Sequence, residues 1–79
     1  MELTLYGTSA CHLCDLAEQV LQHCQSQGVP LLIHKVDISD SDELFERYGV
    51  RIPVVRDAAG RELGWPFDVT QCLAWLEAA

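Results

Sequence analysis

The sequence predicts an α/β fold, a mixed four-stranded sheet flanked by three helices in the order β-α-β-α-β-β-α. Two observations carry that expectation. An alternating stretch gives way to a helical stripe and then to an aliphatic, β-branched run, the pattern of a right-handed strand-helix-strand crossover. Two short strand-like segments then flank a hairpin-length connection, and a second helical stripe closes the chain. With 79 residues, 49% hydrophobic and 22% charged, the chain has room for one domain, residues 1–79, with a core of its own.

Residues 2 to 6 alternate, with Leu3 and Leu5 on one side and Glu2, Thr4 and Tyr6 on the other, which is the period of a half-buried strand. Gly7, Thr8 and Ser9 break it. Leu13, Leu16, Ala17, Val20, Leu21 and Cys24 form an i, i+3, i+4 stripe with polar residues opposite, so an amphipathic helix is expected there, stopping near Gly28 and Pro30. Residues 31 to 38, LLIHKVDI, read as a central strand buried on much of both faces. Asp40 with Glu43 makes a capping box for a short helix carrying Leu44, Phe45 and Tyr48, with Gly49 as its stop. Residues 52 to 57 and 61 to 64 then form a hairpin around Asp57-Ala58-Ala59-Gly60, and Asp68 with Gln71 caps a last helix whose inner face is Val69, Cys72, Leu73 and Leu76. Such a sheet is covered by helices on both faces, and chemistry is expected beyond the carboxyl end of a parallel strand.

Twelve Asp and Glu against five Lys and Arg give a net charge of −7, which repels phosphate backbones and anionic headgroups. Neither nucleic acid nor a membrane is expected as a partner. No apolar run approaches the length of a membrane helix, and the N-terminus MELTLYG lacks the marks of an export signal, so a cytoplasmic location with reduced thiols is expected.

In that setting Cys11-His12-Leu13-Cys14 points to redox or metal chemistry rather than to a permanent staple. With the helix starting near Leu13, Cys11 stands at its cap and Cys14 in its first turn. The free N–H groups and the dipole favour an anion there, so the Cys11 thiol is expected below its ordinary pKa. Cys11 would attack a disulfide and Cys14 would resolve the mixed disulfide. A protonated His12 would stabilise the neighbouring thiolate, and Asp15 acts in the opposite sense. A structural zinc site wants four ligands, whereas the chain has no second CxxC and no HxxxH, so no metal is assigned. Cys24 and Cys72 continue helical stripes and read as core residues, His23 as a solvated helix residue, and Trp75 as a packing residue; Trp65 reads as a loop anchor or a contact residue.

These residues, LYGTSACHLC after the first strand and YGVRIPVV before the third, resemble the glutaredoxin branch of the thioredoxin superfamily over nearly the whole chain, and in particular its small bacterial glutaredoxin-like members. The resemblance implies a thioredoxin-like fold and thiol-disulfide oxidoreductase activity. It also implies that Ile52-Pro53 is a cis peptide that faces the CxxC and receives substrate backbone. Departures from the family pattern fall at the glutathione side: His12-Leu13 between the cysteines, Thr8 in place of a lysine, and GWPFD, residues 64 to 68, in place of a Gly-Gly stretch.

The leading expectation is a monomeric enzyme that needs no cofactor and reduces protein disulfides or glutathione mixed disulfides. Its reductant would be glutathione or a thioredoxin-reductase-type donor, with glutathione as a possible co-substrate. The alternatives are a non-catalytic binding module of the same fold and metal or cluster binding across a dimer.

Overall fold

In the computed structural model, which describes residues 1–78, β1 (Glu2–Gly7) is followed by α1 (His12–Ser26), β2 (Leu32–Asp37), α2 (Asp42–Tyr48), β3 (Val54–Asp57), β4 (Glu62–Gly64) and α3 (Val69–Glu77). The strands form one sheet in the order β2-β1-β3-β4. β1 runs parallel to β2, with Leu3 opposite Ile33 and Tyr6 opposite Val36, and antiparallel to β3, with Leu5 opposite Val55 and Tyr6 opposite Val54. The expected mixed sheet and element order are both present, and the fold is thioredoxin-like.

The alternation of β1 divides the core. Leu3 and Leu5 pack with Ala17, Leu21 and Cys24 of α1, Val55 of β3, and Cys72 and Leu76 of α3. Each such aliphatic side chain removed from water contributes about 2 kcal/mol to the folded state. On the opposite face Tyr6 stacks on Tyr48 at 4.4 Å between ring centres, over Val54 and Ile38. Tyr48 donates its hydroxyl proton to Glu62 Oε2 at 2.5 Å, and Arg51 donates to Glu62 Oε1 at 3.1 Å. The tyrosine hydrogen bond, aided by the Arg51 guanidinium, holds the Glu62 carboxyl below its ordinary pKa and ties α2 to β4.

Two expectations are corrected. Residues 31 to 38 do not make a central strand: β2 is an edge strand, Leu32 is 55% exposed, and His34 and Lys35 face solvent. The β3-β4 hairpin takes the other side of β1, so β1 and β3 are interior. The cap of α2 is Ser41 rather than Asp40, with Ser41 Oγ accepting the Leu44 N–H at 3.3 Å. Asp40 instead ends a 3₁₀ turn, Ile38–Asp40, capped by the Asp37 carboxylate on the Ser39 N–H. Gly49 stops α2, and Asp68 and Gln71 form the expected reciprocal capping box on α3.

The hairpin is held from within. Asp57 is buried and accepts from the Ala59 N–H at 3.0 Å, the Arg61 N–H at 2.8 Å and Arg61 Nε at 2.7 Å, while Gly60 takes the left-handed φ of 90° that the turn requires. Burial opposes the charge, yet the hydrogen bonds from Arg61 and Ala59 and the guanidinium charge together hold the carboxyl below its ordinary pKa. A carboxyl depressed in the folded chain stabilises it fully above the unfolded pKa, near ~4, and loses that contribution as pH falls through the folded value. Asp57→Asn is therefore expected to lower the thermal midpoint at pH 7, with the gap to the parent narrowing on acidification towards pH ~3. A gap independent of pH in thermal melts would contradict this.

Candidate functional site

β1 ends at Gly7, three loop residues turn the chain, and α1 begins at His12 with Cys11 as its N-cap. Cys11 Sγ takes the place that a serine or aspartate oxygen usually fills, accepting the Cys14 N–H at 3.0 Å. The two cysteines are joined as a disulfide, with Cα atoms 5.2 Å apart. They differ in access. Cys11 is half-buried, whereas Cys14 is buried at 6% exposure beneath the first turn of the helix.

Cys14 fits there because Gly7 has no side chain. A Cβ at Gly7 would stand 2.7 Å from Cys14 Sγ and 3.1 Å from its Cβ, closer than packed atoms approach. The same register that pairs Tyr6 with Val54 brings Pro53 beside Gly7, at the strand end from which the cysteine loop departs. The Ile52-Pro53 peptide is cis, and Pro53 is fully buried. The Ile52 side chain turns away to pack with Ile38, Tyr48 and Val54.

His12 is exposed at the first position of α1, and Leu13, expected on the buried stripe, is 45% exposed, since Cys14 and Ala17 take the inward face of that turn. On the buried side of the dithiol a cleft of about 370 Å³ runs from Cys14 between Asp15 and Glu18 of α1 and Lys35 and Asp37 of β2. Lys35 pairs with Glu18 at 3.3 Å, and hydrogen bonds from Ser39 lower the pKa of Asp37.

Cys24 and Cys72 are apart from this site. Both are fully buried where α1 meets α3, as their stripes predict, and burial, reinforced by the adjacent Cys24 thiol, pushes the Cys72 thiol up to about 12. His23 is exposed, His34 lies 3.5 Å from Glu2, and Trp75 packs on the core beneath Arg61. Among the described residues, no three His, Cys, Asp or Glu side chains gather as a metal site, and no helix is long and apolar enough to cross a membrane.

Sequence reasoning missed the surroundings of Trp65. Its peptide bond to Pro66 is also cis, its ring meets Phe67 edge-on at 5.1 Å, and its N–H donates to the Pro53 carbonyl at 3.1 Å. The only signal in the sequence was an aromatic residue before a proline.

A family model described as Glutaredoxin-like domain (DUF836) matches residues 2–77. Among solved structures the chain is similar to the Northeast Structural Genomics target protein XcR50 from X. campestris. Its X-ray structure is 45% identical with a TM-score of 0.89, covering 98% of this chain and 97% of that one. Its solution structure is 46% identical with a TM-score of 0.83, covering 100% and 96%. Thioredoxin 1 from Thermosipho africanus TCF52B, 13% identical with a TM-score of 0.63 over 99% of this chain and 92% of that one, shares the fold. No curated protein matches.

Proposed function

Because the chain belongs to the glutaredoxin-like domain family (DUF836), we propose that it is a thiol-disulfide oxidoreductase working through Cys11 and Cys14. The observation that carries this reading is the asymmetry of the pair: a half-buried sulfur at a helix cap, hydrogen-bonded to a backbone N–H, above a buried partner. The helix N-terminus and that N–H stabilise negative charge on Cys11, which lowers the pKa of the reduced thiol. A protonated His12 adds to the effect.

In the reducing direction the Cys11 thiolate attacks a substrate disulfide, forming a mixed disulfide and releasing the first substrate thiol. Cys14, once deprotonated, attacks Cys11 Sγ, forming the Cys11-Cys14 bond and releasing the second. Two electrons and two protons pass to the substrate. Pro53, beside Gly7 in the strand register, and the Ile52 backbone are assigned to receiving the substrate chain. The substrate is a protein disulfide or a glutathione mixed disulfide, and glutathione or a thioredoxin-reductase-type donor restores the dithiol.

A redox titration in glutathione buffers, with mass spectrometry of alkylated thiols, tests this. The expected result is one reversible disulfide, Cys11-Cys14, with a potential roughly between −120 and −270 mV. Cys24 and Cys72 should stay unlabelled until the chain is unfolded. The absence of a reversible bond between Cys11 and Cys14 would remove the reading.

A further inference from the structure

A second surface, outside the dithiol itself, reaches it from two directions. Leu13, Leu16 and Val20 follow one another along α1 at i, i+3 and i+7, so they share a face that starts inside the CxxC. Beyond Leu13, a groove of about 320 Å³ opens between this face and the start of α3. Leu16, Val20, Trp65 and Val69 supply its apolar surface, and Gln19 and His23 its rim. Trp65 is held in place by its contact with the buried Phe67 ring and by its N–H on the Pro53 carbonyl. One wall of the groove thus grows from the cysteine helix and the other from Pro53.

The charge pattern states what the groove takes. None of the chain's five Lys and Arg lines it. Lys35 is paired with Glu18, Arg51 with Glu62 and Arg61 with Asp57, while Arg47 lies over the Tyr48 ring on α2 and Arg56 is hydrogen-bonded to Tyr6. A carboxylate entering this groove would lose water and meet no lysine or arginine, with only His23 at the rim, whereas an aliphatic or aromatic side chain would gain burial.

We propose that this groove binds an apolar side chain of a polypeptide disulfide substrate, and so selects apolar protein segments. Resting on the dithiol chemistry proposed above, it names the substrate class for that site. The middle of the groove lies about 10 Å along α1 from Cys11, a distance an extended peptide covers in about three residues. The selected side chain is therefore about three residues from the substrate cysteine.

The test is single-turnover reduction by pre-reduced protein, which needs no external donor. Two peptides are compared, identical except for Phe or Ser three residues from their disulfide-bonded cysteine. In each turnover the substrate S–S bond breaks, the Cys11-Cys14 bond forms, and two thiols leave with the two electrons and protons. The Phe peptide is expected to react about tenfold faster or more, and Leu16→Glu is expected to bring the ratio of the two rates close to one. A ratio taken on one protein does not depend on how much of a variant is folded, and the parent comparison needs no variant. Similar parent rates for the two peptides, or a preference that survives Leu16→Glu, would overturn the groove assignment. So would a dimer in sedimentation that Leu16→Glu dissolves, since a second copy would then be the occupant. Bis(2-hydroxyethyl) disulfide separates the two levels. If the parent reduces it but does not discriminate between the peptides, the groove fails alone; if the parent reduces neither class, the dithiol reading fails and takes the groove with it.

Discussion

Cys11→Ser is expected to reduce disulfide reduction to the uncatalysed background, whereas Cys14→Ser is expected to stop one step later with substrate attached. A serine hydroxyl at the helix cap still accepts the Cys14 N–H, so the loop keeps its shape, but it does not ionise near neutral pH and cannot displace a thiolate. The first variant thus isolates chemistry from folding. In the second, Cys11 retains its cap position and its access to solvent, and the mixed disulfide forms without an internal thiol to resolve it. Intact-mass spectrometry after mixing with a disulfide should show an adduct on Cys14→Ser and none on Cys11→Ser. The reverse pattern would exchange the two roles, and full activity in Cys11→Ser would remove the mechanism.

Gly7→Ala should have the next largest effect, although Gly7 takes no part in the chemistry. Its new Cβ would need the space that Cys14 Sγ occupies, 2.7 Å away, and Cys14 is buried with little room to rotate. Either the sulfur or the strand end must shift. Attack on a mixed disulfide requires the incoming sulfur to lie in line with the bond it breaks, and a displacement of about 1 Å costs on the order of 100-fold in rate. We expect Gly7→Ala to form the mixed disulfide normally and to resolve it about 100-fold more slowly. Gly64→Ala is the control, since a Cβ there meets nothing within 4 Å. Equal resolution rates in the two variants, followed by quenched-flow mass analysis, would show that Gly7 does not position Cys14.

What was legible in the sequence was what short segments decide for themselves. The stripe Ala17, Leu21 and Cys24 defines the buried side of α1, and the Asp68-Gln71 pair starts α3 where it occurs. The strand-turn-helix context of Cys11 and Cys14 depends on residues close to them in the chain, so the dithiol and its cap were readable. Position in a sheet is different: LLIHKVDI has the composition of an interior strand, yet β2 is an edge because β3 pairs with β1 on the other side. The choice of Ser41 over Asp40 as cap depended on Asp37 closing the preceding turn, a local competition between acidic and hydroxyl side chains that spacing alone does not resolve. Pro53 was placed by resemblance, and its nearness to Gly7 follows from strand register. Close approaches such as Gly7 to Cys14, and contacts such as Trp65 to Pro53, arise only when distant segments meet.

Helix α1 carries one cysteine in its first turn and another near its last, Cys14 and Cys24, and the fold gives them opposite chemical lives. Near the far end, Cys24 faces Cys72, whose thiol burial pushes up to about 12, so that its thiolate is disfavoured. The interior therefore acts as electrical insulation around two of the chain's four cysteines. On the dithiol reading proposed above, the molecule would then exchange electrons as a single pair although it holds four cysteines.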